Sequence, residues 1–276
     1  MNPFWLMPLW YAVVSLAGAN LGAYAQSHPK LHYTSNANFD SRGAYLPAAA
    51  GFNLADVSRM AQLNALPDGV KGLIWLGMCR GVDDAFRTAT LRYKGHPKLF
   101  GFYLFDDAYG RTCSPANLRQ EADWIHAHIP QAIVFVALAN GGSAAKPSFA
   151  GYGWDQTHAD KFGIAAYPCR TDANRGAGGC DLRLIDEVYK AALAAGIPRD
   201  RIVPIFQTFG GGSFRTEAGG SYLVPTPEQL GDILARWDSL TGETDMDYSY
   251  SWGVQQNDQA LSVLPELQAV IKAHNN

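Results

Sequence analysis

Apolar runs alternate with amphipathic stretches along most of the chain. Runs rich in apolar and aromatic residues at 31–36, 70–77, 99–106, 132–138, 162–167, 202–208 and 246–252 read as buried strands. Stretches with helical periodicity at 54–65, 83–93, 115–128, 182–195, 227–239 and 258–273 read as helices. Helix-start chemistry supports them. Ser114-Pro115 and Thr226-Pro227 each put a capping hydroxyl before a proline at the first helical position. Asn53 and Asp181 are candidate caps for their helices, and Gly196 with Pro198 ends the helix over 182–195. Leu118, Ala122, Ile125 and Ile129 form one face of the helix over 115–128.

Strands that alternate with helices pair in parallel, because each crossover returns the chain to the same edge. Seven visible strands in this length predict an α/β protein of the (β/α)8 TIM-type barrel class, with one reduced or irregular βα unit. The eighth strand is expected in the irregular 37–52 region or in the long 139–161 loop. A doubly wound open sheet is the alternative; it would carry a glycine-rich phosphate loop after its first strand, and Thr34-Ser35-Asn36-Ala37-Asn38 is not one. No linker, low-complexity segment or repeat beyond the βα period divides residues 26–276, so one domain is expected.

Residues 1–25 contain no Asp, Glu, Lys or Arg, and Ala23-Tyr24-Ala25 before Gln26 is a small-x-small cleavage site. They read as a signal peptide, with the α-amino group as its only positive charge. A retained anchor is the alternative, but the apolar stretch is short for a span of about 20 residues. A secreted or periplasmic protein is therefore expected, without stable membrane insertion after cleavage. A net charge of −3 and no Lys/Arg stripe argue against nucleic acid. Oligomeric state is not legible.

Four cysteines in an exported chain predict two disulfides. Cys169 and Cys180 bracket a glycine-rich loop and are natural local partners, which leaves Cys79 for Cys113. The barrel places Cys79 and Cys113 in neighbouring loops on the face where barrel enzymes keep their chemistry. Zinc is the competing reading, but no two cysteines lie two to four residues apart and none has a histidine at ligand spacing. His126 and His128 do not share a helix face. His28, His32, His96 and His274 form no cluster in sequence, while His158 is a loop histidine within reach of a substrate. Neither metal nor cofactor is expected.

The chemistry gathers at the strand ends. Leu99-Phe100-Gly101-Phe102-Tyr103-Leu104-Phe105 is an uncharged run that ends in Asp106-Asp107. The other ends offer Asn36, Trp75 with Met78, Asn140, Tyr167, Gln207, and Tyr250 with Trp252. Amides and carboxylates that bind hydroxyls, beside indoles and phenols that stack on a ring, make a sugar pocket. The bland alternative is that strand ends simply turn polar near solvent. The segment Gly210-Gly211-Gly212-Ser213 lacks the Lys-Ser/Thr of a phosphate loop and reads as a mobile binding loop. No G-x-S-x-G elbow is present.

Three of these segments resemble the (β/α)8 glycoside hydrolase-like superfamily. Gly101-Phe102-Tyr103-Leu104-Phe105-Asp106-Asp107-Ala108 is similar to the strand end that holds the general acid in many such barrels. Gly163-Ile164-Ala165-Ala166-Tyr167-Pro168 is similar to their "G-x-D-x-Y-P" strand, and Tyr248-Ser249-Tyr250-Ser251-Trp252-Gly253 to their last strand. The usual Glu-Pro is here Asp107-Ala108, the strand aspartate is Ala165, and a strand that often ends in a nucleophilic Glu ends in Gln207.

The resemblance implies a secreted glycoside hydrolase acting on a polysaccharide or glycan. Asp107 is its candidate acid/base, Asp106 its neighbour, and Glu217 the loop acid best placed to join them. Asn36, Trp75, Asn140, Tyr167, Gln207, Tyr250 and Trp252 are the candidate substrate-binding residues. Asp83, Asp84, Asp155, Asp160 and Asp247 read as surface, helix-start or distant charges. Because side chains alternate along a strand, Asp106 and Asp107 are not both expected to face the barrel, and one should bond to ring or loop groups. Ala165 and Gln207 favour the alternative, a non-catalytic carbohydrate-binding or scaffold protein on the same barrel.

Overall fold

A computed structural model describes residues 30–172, 179–242 and 244–276. The signal sequence proposed for residues 1–25 lies outside the described residues.

Eight parallel strands close into a barrel: β1 (Leu31–Thr34), β2 (Leu54–Val57), β3 (Lys71–Trp75), β4 (Leu99–Tyr103), β5 (Ile133–Leu138), β6 (Lys161–Ala165), β7 (Ile202–Gln207) and β9 (Met246–Tyr250). The last barrel strand pairs with the first, Leu31 opposite Met246 and Thr34 opposite Ser249. Helices α1 (Met60–Ala65), α2 (Asp84–Leu91), α3 (Pro115–His128), α5 (Arg183–Ala194), α6 (Pro227–Thr241) and α7 (Pro265–Asn275) surround it. Two units are reduced. After β1 there is only the short 3-10 turn Pro47–Ala50, and after β5 only the four-residue α4 (Trp154–Thr157).

Side chains fill the barrel, as the fold requires. Tyr33, Leu54, Leu73, Tyr103, Phe135, Val203, Ile205, Met246 and Tyr248 form the interior. Tyr33 meets Tyr248 at 4.6 Å between ring centroids, and Tyr103 meets Phe135 at the same distance. Gly101 is required by close approach, since a Cβ there would stand 2.1 Å from the Ile133 carbonyl oxygen.

The eighth strand was misplaced by sequence. Leu54–Val57 is β2, not the start of a helix over 54–65, and only Met60–Ala65 is helical. Three of its four residues are buried, because a barrel strand is covered on both faces and shows no clean alternation. Asn53 does not cap a helix. Its side chain accepts from the His32 N–H at 2.8 Å and donates to the Lys30 carbonyl at 2.9 Å. The helix expected over 258–273 begins at Pro265. Before it, β10 (Gln259–Ala260) pairs antiparallel with β8 (Phe209–Gly210). That pairing holds the glycine-rich segment read as mobile: Gly211 N–H donates to Tyr222 O at 2.9 Å and Ser213 N–H to Gln256 O at 2.9 Å.

The capping signals hold for α3 and α6. Ser114 Oγ accepts from Asn117 N–H, and Thr226 with Gln229 forms a capping box. Asp181 lies one residue before the N-terminal cap of α5, and its carboxylate accepts from Arg183 N–H at 3.2 Å. Both expected disulfides are formed, Cys79–Cys113 and Cys169–Cys180.

One acid inside the outer core is out of place. Glu121 of α3 is fully buried; its Oε1 accepts from the Arg80 and Gly81 N–H groups at 2.9 Å each, while Oε2 has no partner. Burial pushes its carboxyl up to about 8. A raised carboxyl favours the folded state at low pH and loses that advantage as pH climbs from the unfolded value towards 8. Glu121→Gln keeps the acceptor and removes the charge. It is expected to gain at least about 1 kcal/mol over the native chain at pH 8, and to flatten the loss measured in urea unfolding between pH 5 and pH 8.

Candidate functional site

A cavity of about 430 Å³ opens at the C-terminal ends of the strands, where barrel enzymes place their sites. Asp106, Asp107, Asn140, Tyr167, Glu217 and Tyr250, all singled out in sequence, line it together with Arg170, Phe214 and Tyr222. Ala137 and Ala165 leave the space open beneath them.

β4 ends at Tyr103, so strand alternation no longer applies at Asp106 and Asp107, and both reach the same cavity. Asp107 adopts a left-handed backbone with φ 51°. The expectation that one of the two would bond to a ring group holds for Asp106, whose Oδ1 accepts from the Tyr103 hydroxyl at 2.6 Å. The two carboxyls are open to the cavity mouth yet lie among protein atoms that strip away part of their water. That desolvation, and then repulsion from Asp106, pushes the Asp107 carboxyl up to about 6. Asp106 is also raised by burial, opposed by the Tyr103 hydroxyl and the Asp107 N–H. Among the described residues neither acid forms an ion pair with Arg80 or Arg111. A carboxyl that holds its proton to about pH 6 and faces a cavity is a proton donor in waiting.

A third carboxyl stands behind them. Asp56, the third residue of β2, accepts from Asn36 N–H at 3.3 Å, and its own N–H is held by Asn38 Oδ1 at 3.1 Å. Burial first, and Asp106 in part, push its carboxyl up to about 6. The buried Tyr33 hydroxyl lies beside the Asp56 carboxyl and opposes part of that rise. Sequence reading missed Asp56 because its strand was taken for a helix; the available signal was a lone acid inside the apolar run Leu54-Ala55-Asp56-Val57.

The facing wall is aromatic and cationic. Tyr167 packs on Phe209, Tyr222 and Tyr250 with centroids 5.0–6.0 Å apart. Arg170 lies over Tyr222 at 5.8 Å. Its guanidinium grips Asp172 at 2.8 and 2.7 Å, and Glu217 at 3.0 Å. Glu217 thus lines the cavity as Arg170's counter-ion rather than as a free acid. None of Arg170, Phe214 and Tyr222 was singled out in sequence.

Other predicted contacts have different work. Gln207 is 0% exposed; its amide accepts from Cys169 N–H at 2.8 Å and donates to the Cys169 and Leu223 carbonyls at 2.9 and 3.0 Å. It ties two loops together and has no group left for a sugar hydroxyl. Trp252 is buried in the outer core against Phe52, so it is no platform. Asn140 shapes its own loop, accepting from the Gly142 and Ser148 N–H groups at 2.9 Å each. Trp75 stands edge-on to Tyr103 at 4.8 Å, outside the cavity lining. Asn36 also lies outside the cavity lining, its side chain beside the Tyr250 hydroxyl. His158 bonds to Asp123 at 2.6 Å, not to the cavity. Asp83 caps α2, accepting from Phe86 N–H at 2.7 Å, and Asp84 pairs with Arg87 at 3.0 Å. Asp155 is exposed on α4, and Asp160 accepts from Val134 N–H at 2.8 Å at the opposite end of the barrel.

Two histidines read as unclustered do meet. His32 and His274 converge on Asp247 with ligand atoms within 4.8 Å of one another. Lys30 Nζ, 3.2 Å from Asp247, already supplies a cation there. The sequence separates these groups widely; closure of β9 on β1, with α7 packed beneath, brings them together.

No protein-family model matches the chain, and no curated protein matches it either. Solved structures do. A chitinase-like agglutinin from Robinia pseudoacacia superimposes with a TM-score of 0.55 at 10% identity, over 89% of this chain and 99% of its own. A chitinase from Rhizomucor miehei gives 0.55 at 12%, over 87% and 99%. A fungal endo-β-N-acetylglucosaminidase of glycosyl hydrolase family 18 gives 0.52 at 14%, over 90% and 98%. The fold they share with this chain is the (β/α)8 barrel. At these identities the likeness extends to the barrel and not to particular side chains. In the resembling segments this chain keeps its acids at the end of β4, lines the cavity floor with Ala165, and spends Gln207 on the backbone.

Proposed function

We propose that this chain is an exported glycoside hydrolase that cleaves a polysaccharide or glycan, with Asp107 as its general acid. The observation that carries the reading is a single one: a carboxyl pushed up to about 6, facing a cavity with an aromatic wall at the C-terminal end of the barrel. Asp107 donates its proton to the bridging oxygen as the bond from C1 to that oxygen breaks. Asp106, fixed by Tyr103, faces the positive charge that develops on the ring. Tyr167, Tyr222 and Tyr250 give the sugar its apolar surface.

Two-carboxylate hydrolysis needs a second free acid across the scissile bond, whereas substrate-assisted enzymes use a group on the sugar itself. Glu217 is engaged by Arg170, Asp106 is held by the Tyr103 hydroxyl beside Asp107 at the same strand end, and Asp56 lies outside the cavity lining. The site therefore suits a sugar bearing a 2-acetamido group, whose carbonyl oxygen attacks C1 as Asp107 protonates the leaving oxygen. Water then opens the cyclic intermediate and Asp107 recovers its proton. One structural neighbour is named for its action on N-acetylglucosaminides, which agrees with that sugar class. The leader over 1–25 and the two disulfides support export.

A non-catalytic carbohydrate binder is the second reading, favoured by the engaged Glu217 and by the agglutinin among the neighbours. Mass spectrometry of β-1,4-linked N-acetylglucosamine oligomers and of a panel of bacterial, fungal and plant polysaccharides after incubation separates the two. Shortened products support the hydrolase. Binding without cleavage of any member supports the binder, and neither binding nor cleavage removes both.

A further inference from the structure

We propose that His32, His274 and Asp247 form a zinc site at the seam where the barrel closes, independent of the cavity at the other end. The three come from β1, α7 and β9, and their ligand atoms lie within 4.8 Å of one another. His32 Nδ1 stands 3.0 Å from each carboxylate oxygen of Asp247, and His274 Nε2 stands 3.1 Å from Oδ2. In a tetrahedral site with bonds of about 2.0–2.1 Å, neighbouring ligand atoms are about 3.3 Å apart. The carboxylate and both imidazole nitrogens are therefore near ligand spacing already, and small shifts close the site around an ion.

The donor set selects the metal. Two imidazoles and one carboxylate suit zinc, with water as the fourth ligand, whereas Ca²⁺ and Mg²⁺ take oxygen ligands. His32 and Asp247 are buried, and packing fixes the rings: His274 stands edge-on to Phe206 at 5.6 Å and to His32 at 5.8 Å. An outer carboxylate is in place as well. Asp238 of α6 has Oδ2 3.9 Å from His274 Nδ1. A metal-bound imidazole turns its other N–H towards such a group. A proton on Nδ1, facing Asp238, leaves the Nε2 lone pair for the ion. Lys30 is the competitor. Its Nζ is 3.2 Å from Asp247 Oδ2 and 3.8 Å from Asp238 Oδ1, and its side chain is partly exposed. The ammonium can leave Asp247, keep Asp238 and stay in water, so zinc displaces it without stranding a buried charge. The bound ion ties α7 to the first and last barrel strands, so it strengthens the fold and takes no part in glycan chemistry.

Calorimetric titration with Zn²⁺ tests this on the chain purified without a histidine tag and stripped with a chelator. One Zn²⁺ per chain is expected, saturating at micromolar concentrations, with a rise in melting temperature that Ca²⁺ and Mg²⁺ do not give. Asp238→Asn, a partly exposed change outside the ligand set, is expected to weaken binding about tenfold. His274→Ala removes a ligand itself and should cost more than about 100-fold, beyond the range of outer-shell changes. Lys30→Gln separates a metal site from a cluster built only for an ion pair. Without the competing ammonium, zinc should bind about tenfold more tightly; an ion-pair cluster would lose stability and gain no affinity. Absence of zinc uptake overturns the site, as does uptake that His274→Ala and Asp238→Asn leave unchanged, or a Lys30→Gln affinity no tighter than that of the native chain. Should His274→Ala fail to fold, Asp238→Asn and Lys30→Gln still decide, because they move the affinity in opposite directions.

Discussion

Asp107→Asn is expected to lower glycan cleavage by about two orders of magnitude or more, the scale of a lost general acid, while glycan binding changes little. Asparagine keeps the size and one oxygen of the side chain but has no proton to give a leaving alkoxide. The pH profile supplies the sign. As the proposed general acid Asp107 would react in its protonated form, so activity should fall as pH rises through about 6, where its carboxyl ionises. Asp106 is a negative neighbour that helps hold that carboxyl up, after desolvation. Asp106→Asn removes the repulsion, and the basic limb should move to lower pH even where some activity survives. Initial rates on one soluble oligosaccharide between pH 4 and pH 8 read both effects. A basic limb that stays in place in Asp106→Asn would show that the limb belongs to another group.

What the chain revealed in advance follows from where each residue gets its constraint. The seven strands, the capped helices α3 and α6 and both disulfides were legible because each depends on local pattern or on the order of elements. β2 was not. A four-residue strand covered on both sides carries no period, and the adjacent Asn53 imitates a helix cap while its amide bonds to the backbone at 30 and 32. That error hid Asp56, an acid that feels the charge of Asp106. Asp106, Asp107, Tyr167 and Tyr250 were legible as polar or aromatic ends of apolar runs, and all four line the cavity. Gln207 and Asn140 share that description, yet their amides answer backbone groups of loops whose paths no local signal gives. Glu217 turned on Arg170, a partner more than forty residues away in sequence, and Trp252 on the packing of Phe52.

At the other end of the barrel, Asp247→Ala is expected to cost about 3–5 kcal/mol, the penalty for stranding buried partners of a removed charge. Asp247 is 1% exposed, and three groups converge on its carboxylate: His32 Nδ1 at 3.0 Å, His274 Nε2 at 3.1 Å and Lys30 Nζ at 3.2 Å. They come from the start of β1 and from α7, while Asp247 sits on β9, so the cluster pins the seam where the barrel closes. Alanine would leave the ammonium and the imidazoles facing an apolar gap. A loss of that size is a large share of the roughly 5–15 kcal/mol that holds a typical domain together. Asp247→Asn keeps the shape and one acceptor and should lose less. The hydrogen bonds from His274 and His32, with Lys30 nearby, outweigh burial and hold the Asp247 carboxyl well below the usual carboxylate range. A depressed carboxyl stabilises the fold above its unfolded value of about 4. That stabilisation drains away as the pH falls below it. Urea unfolding of the native chain should therefore weaken from pH 5 to pH 3, and Asp247→Ala should lose much of that slope together with its stability. An unchanged slope in the variant would place the acid sensitivity in other carboxylates and leave Asp247 as a packing residue alone.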